Sequence, residues 1–235
     1  MSFFKDAFAI FKKRELLFLE SRKESEDVYS FLFEKDKDLT WTAGQYGLFS
    51  ITHKNIKNVT KPFSMASAPT EKIVKITTRI RNNPSDFKKA LLELQEGMKV
   101  KMSGPVGSFC LQDNSPSLLI AGGIGITPFR SILKQIESEG SEDGKQRKLL
   151  YLDGKKSYLY KDELDELADK TSISVAYLDS RDDLHQEIDK FNDVYSNNGS
   201  YFIAGPKAMV DSISGYLQSH NISKKNIKKD AFYGY

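Results

Sequence analysis

Cysteine is almost absent from this sequence. Of 235 residues only Cys110 is a cysteine, which excludes an internal disulfide, a structural zinc knot and an iron–sulfur cluster held by the chain's own thiolates, since each needs several sulfurs. Long apolar runs are missing too. No stretch reaches the ~18 residues that a membrane-spanning helix needs, and the N-terminus lacks a signal peptide's apolar stretch and small-residue cleavage site. The expectation is a soluble, cytoplasmic protein without a transmembrane segment. The three histidines, His53, His185 and His220, share no ligand spacing and are expected on the surface, not around a metal. Hydrolase signatures of the H-E-x-x-H, G-x-S-x-G or paired-carboxylate kind are absent. The net charge of +3 is too small to indicate nucleic acid.

What is present divides into two patterns. From about Glu15 to Leu111 the apolar runs are short and rich in β-branched and aromatic residues: Leu16 to Leu19, Val28 to Phe33, Tyr46 to Ile51, Ile73 to Thr77 and Met98 to Met102. Several alternate apolar with polar, as half-buried antiparallel strands do. Turn signals at Ala43-Gly44, Asn82-Asn83-Pro84, Glu96-Gly97, Gly104-Pro105 and Gly107 separate them. One helical insert at about 85–95 completes the expectation of a small six-stranded antiparallel β-barrel. After Asn114-Ser115-Pro116 strands and helices alternate, which predicts a doubly wound parallel sheet. The expected domains are therefore 1–114 and 115–235. Residues 1–115 hold 19 Lys+Arg against 14 Asp+Glu, a net of +5, suited to an anionic cofactor or acidic partner, though a solvated basic surface is the commoner cause. Phe3, Phe4, Ala7, Phe8 and Phe11 form a helical apolar face. It can dock weakly on a membrane surface or partner, or fold back over its own barrel, the reading favoured here.

The sharpest local signal is Ala121-Gly122-Gly123-Ile124-Gly125-Ile126-Thr127-Pro128. A strand runs straight into glycines and then a helix. Gly123 and Gly125 would allow close backbone approach, Thr127 is expected to cap the helix and Pro128 to occupy its first position. Such a helix start offers N–H groups to a pyrophosphate, although by itself it can equally close an ordinary strand–helix junction.

Lys61-Pro62-Phe63-Ser64-Met65-Ala66-Ser67, Gly104-Pro105-Val106-Gly107-Ser108-Phe109, the Gly122–Pro128 turn and Ala204-Gly205-Pro206-Lys207-Ala208-Met209 occur in that order. Together they resemble the ferredoxin–NADP reductase family, in which an antiparallel flavin barrel precedes a nicotinamide-nucleotide domain. The resemblance spans about 15–235 and implies a flavoprotein oxidoreductase with FAD and NADPH or NADH. Lys61 would neutralise flavin phosphates, Phe63 would lie against the isoalloxazine and Ser64 would hydrogen-bond near flavin N5, with Pro62 and Met65 in the same stretch. The family's arginine and tyrosine are Lys61 and Phe63 here, which exchanges a bidentate fork for a point charge and drops a phenol. Thr78, Arg79, Ser85, Asp86 and Phe87 would hold the rest of the cofactor, Ser85 as a helix N-cap.

On the nucleotide side the resemblance places Ala204, Gly205 and Pro206 beside the nicotinamide, with Ala204 where many members carry a cysteine. Ser180 and Arg181 follow the third strand of this half, where NADP-preferring relatives bind the 2′-phosphate. The lean is to NADPH, with Asp153 a competing ribose contact. Phe232 and Tyr235 would pack near the flavin, and Tyr235, with Ser64, is the catalytic candidate. Lys224-Lys225 and Lys228-Lys229 form a solvated face or a docking point for an acidic carrier. The expected activity passes electrons from NAD(P)H through FAD to a separate acceptor protein such as a ferredoxin, flavodoxin or haem protein. A free-flavin or small-molecule reductase and a non-catalytic, redox-sensing flavin-binding component are the alternatives.

Overall fold

The structure, a computed structural model, describes residues 12–111, 115–140, 146–171 and 173–233. The Phe3–Phe11 face, part of the domain junction and Tyr235 lie outside the described residues. Contacts divide the chain into two compact units, Met1–Cys110 and Leu111–Tyr235.

The first unit is a six-stranded antiparallel sheet of β1 (Lys13–Lys23), β2 (Val28–Glu34), β3 (Tyr46–Ile51), β4 (Thr60–Ser64), β5 (Ile73–Arg79) and β6 (Lys99–Val106), with α1 (Asp86–Leu92) between β5 and β6. The strand order is β4-β3-β6-β1-β2-β5. Alternation sets the inner face. Leu16 and Phe18 of β1, Phe31 and Phe33 of β2, Phe49 and Ile51 of β3, Val74 and Ile76 of β5 and Val100 and Met102 of β6 share one core with Phe87 and Leu91 of α1. The sheet curls around this core as a barrel that does not fully close, because β4 and β5 are its two edges. Just past Ser64 the Ala66 N–H donates to the Lys75 carbonyl at 2.7 Å and the Lys75 N–H donates to Ser67 Oγ at 2.9 Å.

Gly104-Pro105, expected as a turn, lies inside β6. The pairing of β3 with β6 shifts by one residue there, from Leu48↔Ser103 to Tyr46↔Val106. Gly104, at φ +103°, supplies the positive φ that such a bulge needs, so the strand passes through the signal instead of ending at it.

The second unit is a five-stranded parallel sheet of β7 (Ser117–Gly122), β8 (Arg147–Leu152), β9 (Ile173–Leu178), β10 (Ser200–Pro206) and β11 (Ile227–Phe232), ordered β11-β10-β7-β8-β9. Helices α2 (Ile126–Glu139), α3 (Lys161–Lys170), α4 (Arg181–Tyr195) and α5 (Lys207–Ser219) connect successive strands. α4 and α5 pack Leu184, Ile188, Phe191, Val210, Ile213 and Leu217 onto Leu118, Ile120, Leu150 and Ile203 of the sheet. α2 and α3 pack on each other, joined by a two-pronged ion pair: Arg130 Nε and Nη2 donate to Glu163 Oε2 and Oε1 at 2.8 and 2.6 Å. No helix among the described residues is long and apolar enough to cross a membrane.

Candidate functional site

Two groups of residues answer to the expected sites, one in each unit. In the first unit, register decides direction. Lys61 and Phe63 pair with Phe49 and Gly47, and Phe49 is fully buried, so both candidates share its inward face. Because β4 is an edge, that face opens at the seam between β4 and β5, and Lys61 and Phe63 remain half-buried there. One face of the Phe63 ring stacks on Phe87 at 5.7 Å and 28°, and Phe49 meets it edge-on at 6.0 Å. Pro62 points outward and is exposed. Ser64, at the strand's end opposite Tyr46, is 9% exposed.

Three expected contacts in this unit change character. Met65 and Phe87 are core residues and Thr78 is buried, so their side chains shape the seam from behind and present almost no surface. Phe87 acts through Phe63. Ser85 does cap α1: its Oγ accepts the Lys88 N–H at 3.5 Å, beside the exposed Asp86. Arg79 is held by Asp27, with Nε 3.3 Å from Oδ2.

The sequence reading missed Arg81 and included Lys88 only as the last residue of the Ser85–Lys88 stretch, without a role of its own. Burial and the nearby guanidinium groups of Arg81 and Arg79 push the Lys88 ammonium below the usual lysine range. Three cations thus crowd the end of β5 and the start of α1, with Asp27 the anion paired to them among the described residues. Such crowding is relieved by an anion of two or more charges, which a dinucleotide diphosphate provides. The donor set and the open seam therefore fit FAD. The signal for Lys88 was its place in the Ser85–Lys88 stretch, two residues into a capped helix.

In the second unit the strand order reverses between β7 and β10. Open parallel sheets bind ligands beyond the carboxyl ends of the strands at such a switch point. Gly122 and Gly123 stand there on one side, Gly205 and Pro206 on the other. A Cβ on Gly122 would collide with the Met209 side chain, and one on Gly205 would lie 3.0 Å from the Gly122 carbonyl oxygen. One on Gly125 would enter the Ala204 carbonyl group. Gly125 thus serves helix–strand contact within the protein. Gly123 differs: its φ is +52° and a Cβ there would meet nothing within 4 Å, so it borders open space.

The helix begins earlier than expected. A 3-10 turn at Gly123–Gly125 leads directly into α2, which starts at Ile126 behind Gly125 as N-cap. Thr127 is therefore not the cap. Its hydroxyl donates to the Ile124 carbonyl at 3.1 Å, and Thr127, Pro128 and Ala204 are all buried. Their side chains form the floor of the switch point. Phe232 pairs with Pro206 and is half-buried, which brings the chain's last described aromatics to the same edge. Tyr233 is 77% exposed and was not singled out.

Arg181 opens the fifteen-residue α4, capped by Ser180, a helix the sequence reading did not recognise. His185 lies inside α4, stacked on Tyr216 at 4.1 Å and 5°. Among the described residues no group of three His, Cys, Asp or Glu could hold a metal. Lys224 and Lys225 precede β11, at the end of the sheet away from the switch point.

Comparison with known proteins agrees with this geometry. Residues 119–215 match the family model of the oxidoreductase NAD-binding domain. The chain is 28% identical over 219 residues to one component of the Na(+)-translocating NADH-quinone reductase of Actinobacillus pleuropneumoniae, covering 81% of this chain and 53% of that one. It is 23% identical over 242 residues to a flavohemoprotein of Oceanobacillus iheyensis, covering 93% and 59%. The chain thus spans little more than half the length of these relatives. The ferredoxin–NADP+ reductase of Plasmodium falciparum superposes with a TM-score of 0.75 at 16% identity, covering 94% of this chain and 96% of that one. Residues 119–215 thus carry the oxidoreductase NAD-binding domain, and the chain as a whole has the two-unit fold of the ferredoxin–NADP+ reductase it superposes on.

Proposed function

We propose that the chain is an FAD-dependent NAD(P)H oxidoreductase that passes electrons from a nicotinamide nucleotide to a separate electron-acceptor protein. The observation that carries this is the reversal of strand order beside Gly122, Gly123 and Gly205 within the segment that matches the NAD-binding domain. We assign the nucleotide to the second unit and the flavin to the first.

A bound flavin supplies a centre that takes two electrons as hydride and releases them singly. The chain's own residues hold and orient. Lys61, Arg79, Arg81 and Lys88 are the cations for its diphosphate. Phe63 offers the ring surface at the seam, kept in place by Phe87 behind it. Ser64 offers a hydroxyl at the inner end of β4, the position assigned to hydrogen bonding at flavin N5. At the switch point, Gly123 leaves room for the nucleotide's backbone, and the first turn of α2 directs N–H groups toward its pyrophosphate. Alignment of the two reactive rings, not acid–base chemistry, is what the protein contributes to hydride transfer.

The acceptor is proposed to be a protein because the flavohemoprotein relative carries its likeness to this chain within a longer polypeptide named for haem. The decisive experiment adds NADPH or NADH anaerobically to the purified, FAD-loaded chain and follows the flavin band near ~450 nm, a property of the cofactor itself. Bleaching is expected. Persistence of the band with both nucleotides would leave a non-catalytic flavin-binding component, and turnover with free flavins but no ferredoxin, flavodoxin or haem protein would leave a small-molecule reductase.

A further inference from the structure

We propose that Arg130 is a positioning residue for the nucleotide: its guanidinium holds the segment 153–160 in place as one wall of the switch point. This rests on the nucleotide assignment above.

The segment 153–160 joins β8 to α3. It leaves β8 beside the switch point, since Leu152, the last residue of that strand, pairs with Gly122. The helix it leads into has no cap of its own. Tyr160, the residue before α3, lies in the left-handed region at φ +62°, and its side chain makes no capping hydrogen bond. A residue with a Cβ is disfavoured in that conformation. Local chemistry therefore does not fix where α3 begins.

Arg130 supplies what the segment lacks. It is the fifth residue of α2 and is 5% exposed. Helical side chains lean toward their own N-terminus, which here is the turn assigned to the pyrophosphate. The guanidinium clasps two parts of the α3 start at once. Its fork holds Glu163, in the first turn of α3, at 2.8 and 2.6 Å. Its Cζ also lies over the Tyr160 ring, 5.4 Å from the centroid. Shape matters more than charge at this position, because Lys134 already places a second cation 3.7 Å from Glu163. A lysine has neither the fork nor the flat face with which to serve both partners.

The residues just before Tyr160 are tied to the strands. Tyr151 Oη accepts the Leu159 N–H at 3.0 Å, and the Tyr158 ring packs on Tyr151 at 5.3 Å and on Tyr177 at 4.9 Å. Gly154, Lys155, Lys156 and Ser157 are exposed. The exposed part keeps its place at the ends of β8 and β9 only while the α3 start is held, and Arg130 holds it. A nucleotide that extends past Gly123 meets this wall. Its apparent affinity falls with the fraction of molecules in which the wall is in place, whereas the alignment of the reacting rings does not involve Arg130.

The test uses the FAD-loaded chain with Arg130→Lys, and with Glu163→Gln as a second variant that keeps the partner's shape and removes its charge. Calorimetry with 5′-AMP and steady-state kinetics with NADH and NADPH give binding and turnover. Amide hydrogen exchange read by mass spectrometry reports on the segment 153–160. Arg130→Lys is expected to raise Kd and KM about fivefold, as a wall in place in about a fifth of the molecules would. At saturating nucleotide, kcat should change by less than about twofold. Exchange should quicken at 153–160 and not in β7 or β10. Glu163→Gln should move the same readouts in the same direction, and it carries the test if Arg130→Lys does not fold. A merely structural role lowers thermal stability without splitting KM from kcat. That result, or exchange at 153–160 unmoved by both variants, overturns the proposal. Failure of the unaltered chain to bind any of the three nucleotides removes the nucleotide assignment itself, a result distinct from unchanged affinity in the variants.

Discussion

Gly125 has no side chain because Ala204 occupies the space: a Cβ at Gly125 would stand 2.7 Å from the Gly205 Cα and closer still to the Ala204 carbonyl. The first turn of α2 is thereby pressed against the end of β10, which fixes the depth of the switch point. Gly125→Ala is expected to cost about 3 kcal/mol, since neither partner is a side chain that can swing away. Gly123→Ala has open space and carries only the strain of φ +52°, about 1 kcal/mol. Urea unfolding of the two variants should separate them clearly. Equal losses would mean that the backbone contact relaxes.

Ser64→Ala should leave FAD bound and slow its reduction. A lost hydrogen bond in a nearly buried position (9% exposed) is worth about 1–3 kcal/mol, or roughly five- to 150-fold in rate. Stopped-flow reduction at saturating nucleotide is the measurement, and an unchanged rate would remove Ser64 from the chemistry.

Lys88→Gln is expected to weaken FAD binding by about tenfold, the value of one charge-assisted contact to phosphate, and to affect FMN much less. The same change relieves the crowding with Arg79 and Arg81, so the apoprotein should be no less stable. Equal loss for both flavins would place Lys88 away from the adenylate diphosphate.

Stability should fall on the acid side. Glu187 is held below the usual carboxylate range by hydrogen bonds from Lys148 and Lys190, and Asp165 by those from Lys161 and Tyr177. A depressed folded-state value stabilises the protein above the unfolded value of about 4 and is lost as pH falls through the folded one. Thermal midpoints measured from pH 7 to pH 3 should drop below about pH 4. Glu187→Gln should flatten that drop and lower the midpoint at pH 7.

Five strands of the first unit were legible from short apolar runs, such as β5 with Val74 and Ile76 inward and Lys75 and Thr77 to the other face. In contrast β4, with Pro62 within it, was not read as a strand. The glycine turn was legible because a strand, three glycines and a helix are contiguous. Helix α4 was not, although Leu184, Ile188 and Phe191 keep helical spacing. Its first turn reads as a polar, acidic loop, and only packing on the sheet reveals the buried stripe. The parts of Lys88 and Arg81 were not legible for a related reason. Each matters through residues that other elements bring near it.

Local order in the chain determined the kinds of element, their sequence and the glycines between them, since periodicity and turn chemistry act over a few residues. Tertiary structure decided what each candidate faces. Pairing with Phe49 and Gly47 turned Lys61 and Phe63 inward at an open edge, the approach of Ala204 made Gly125 a packing residue, and the fold of α4 set Asp183 against the hydroxyl of Ser180. Those outcomes depend on register and on contacts between distant segments, which no short stretch of sequence encodes.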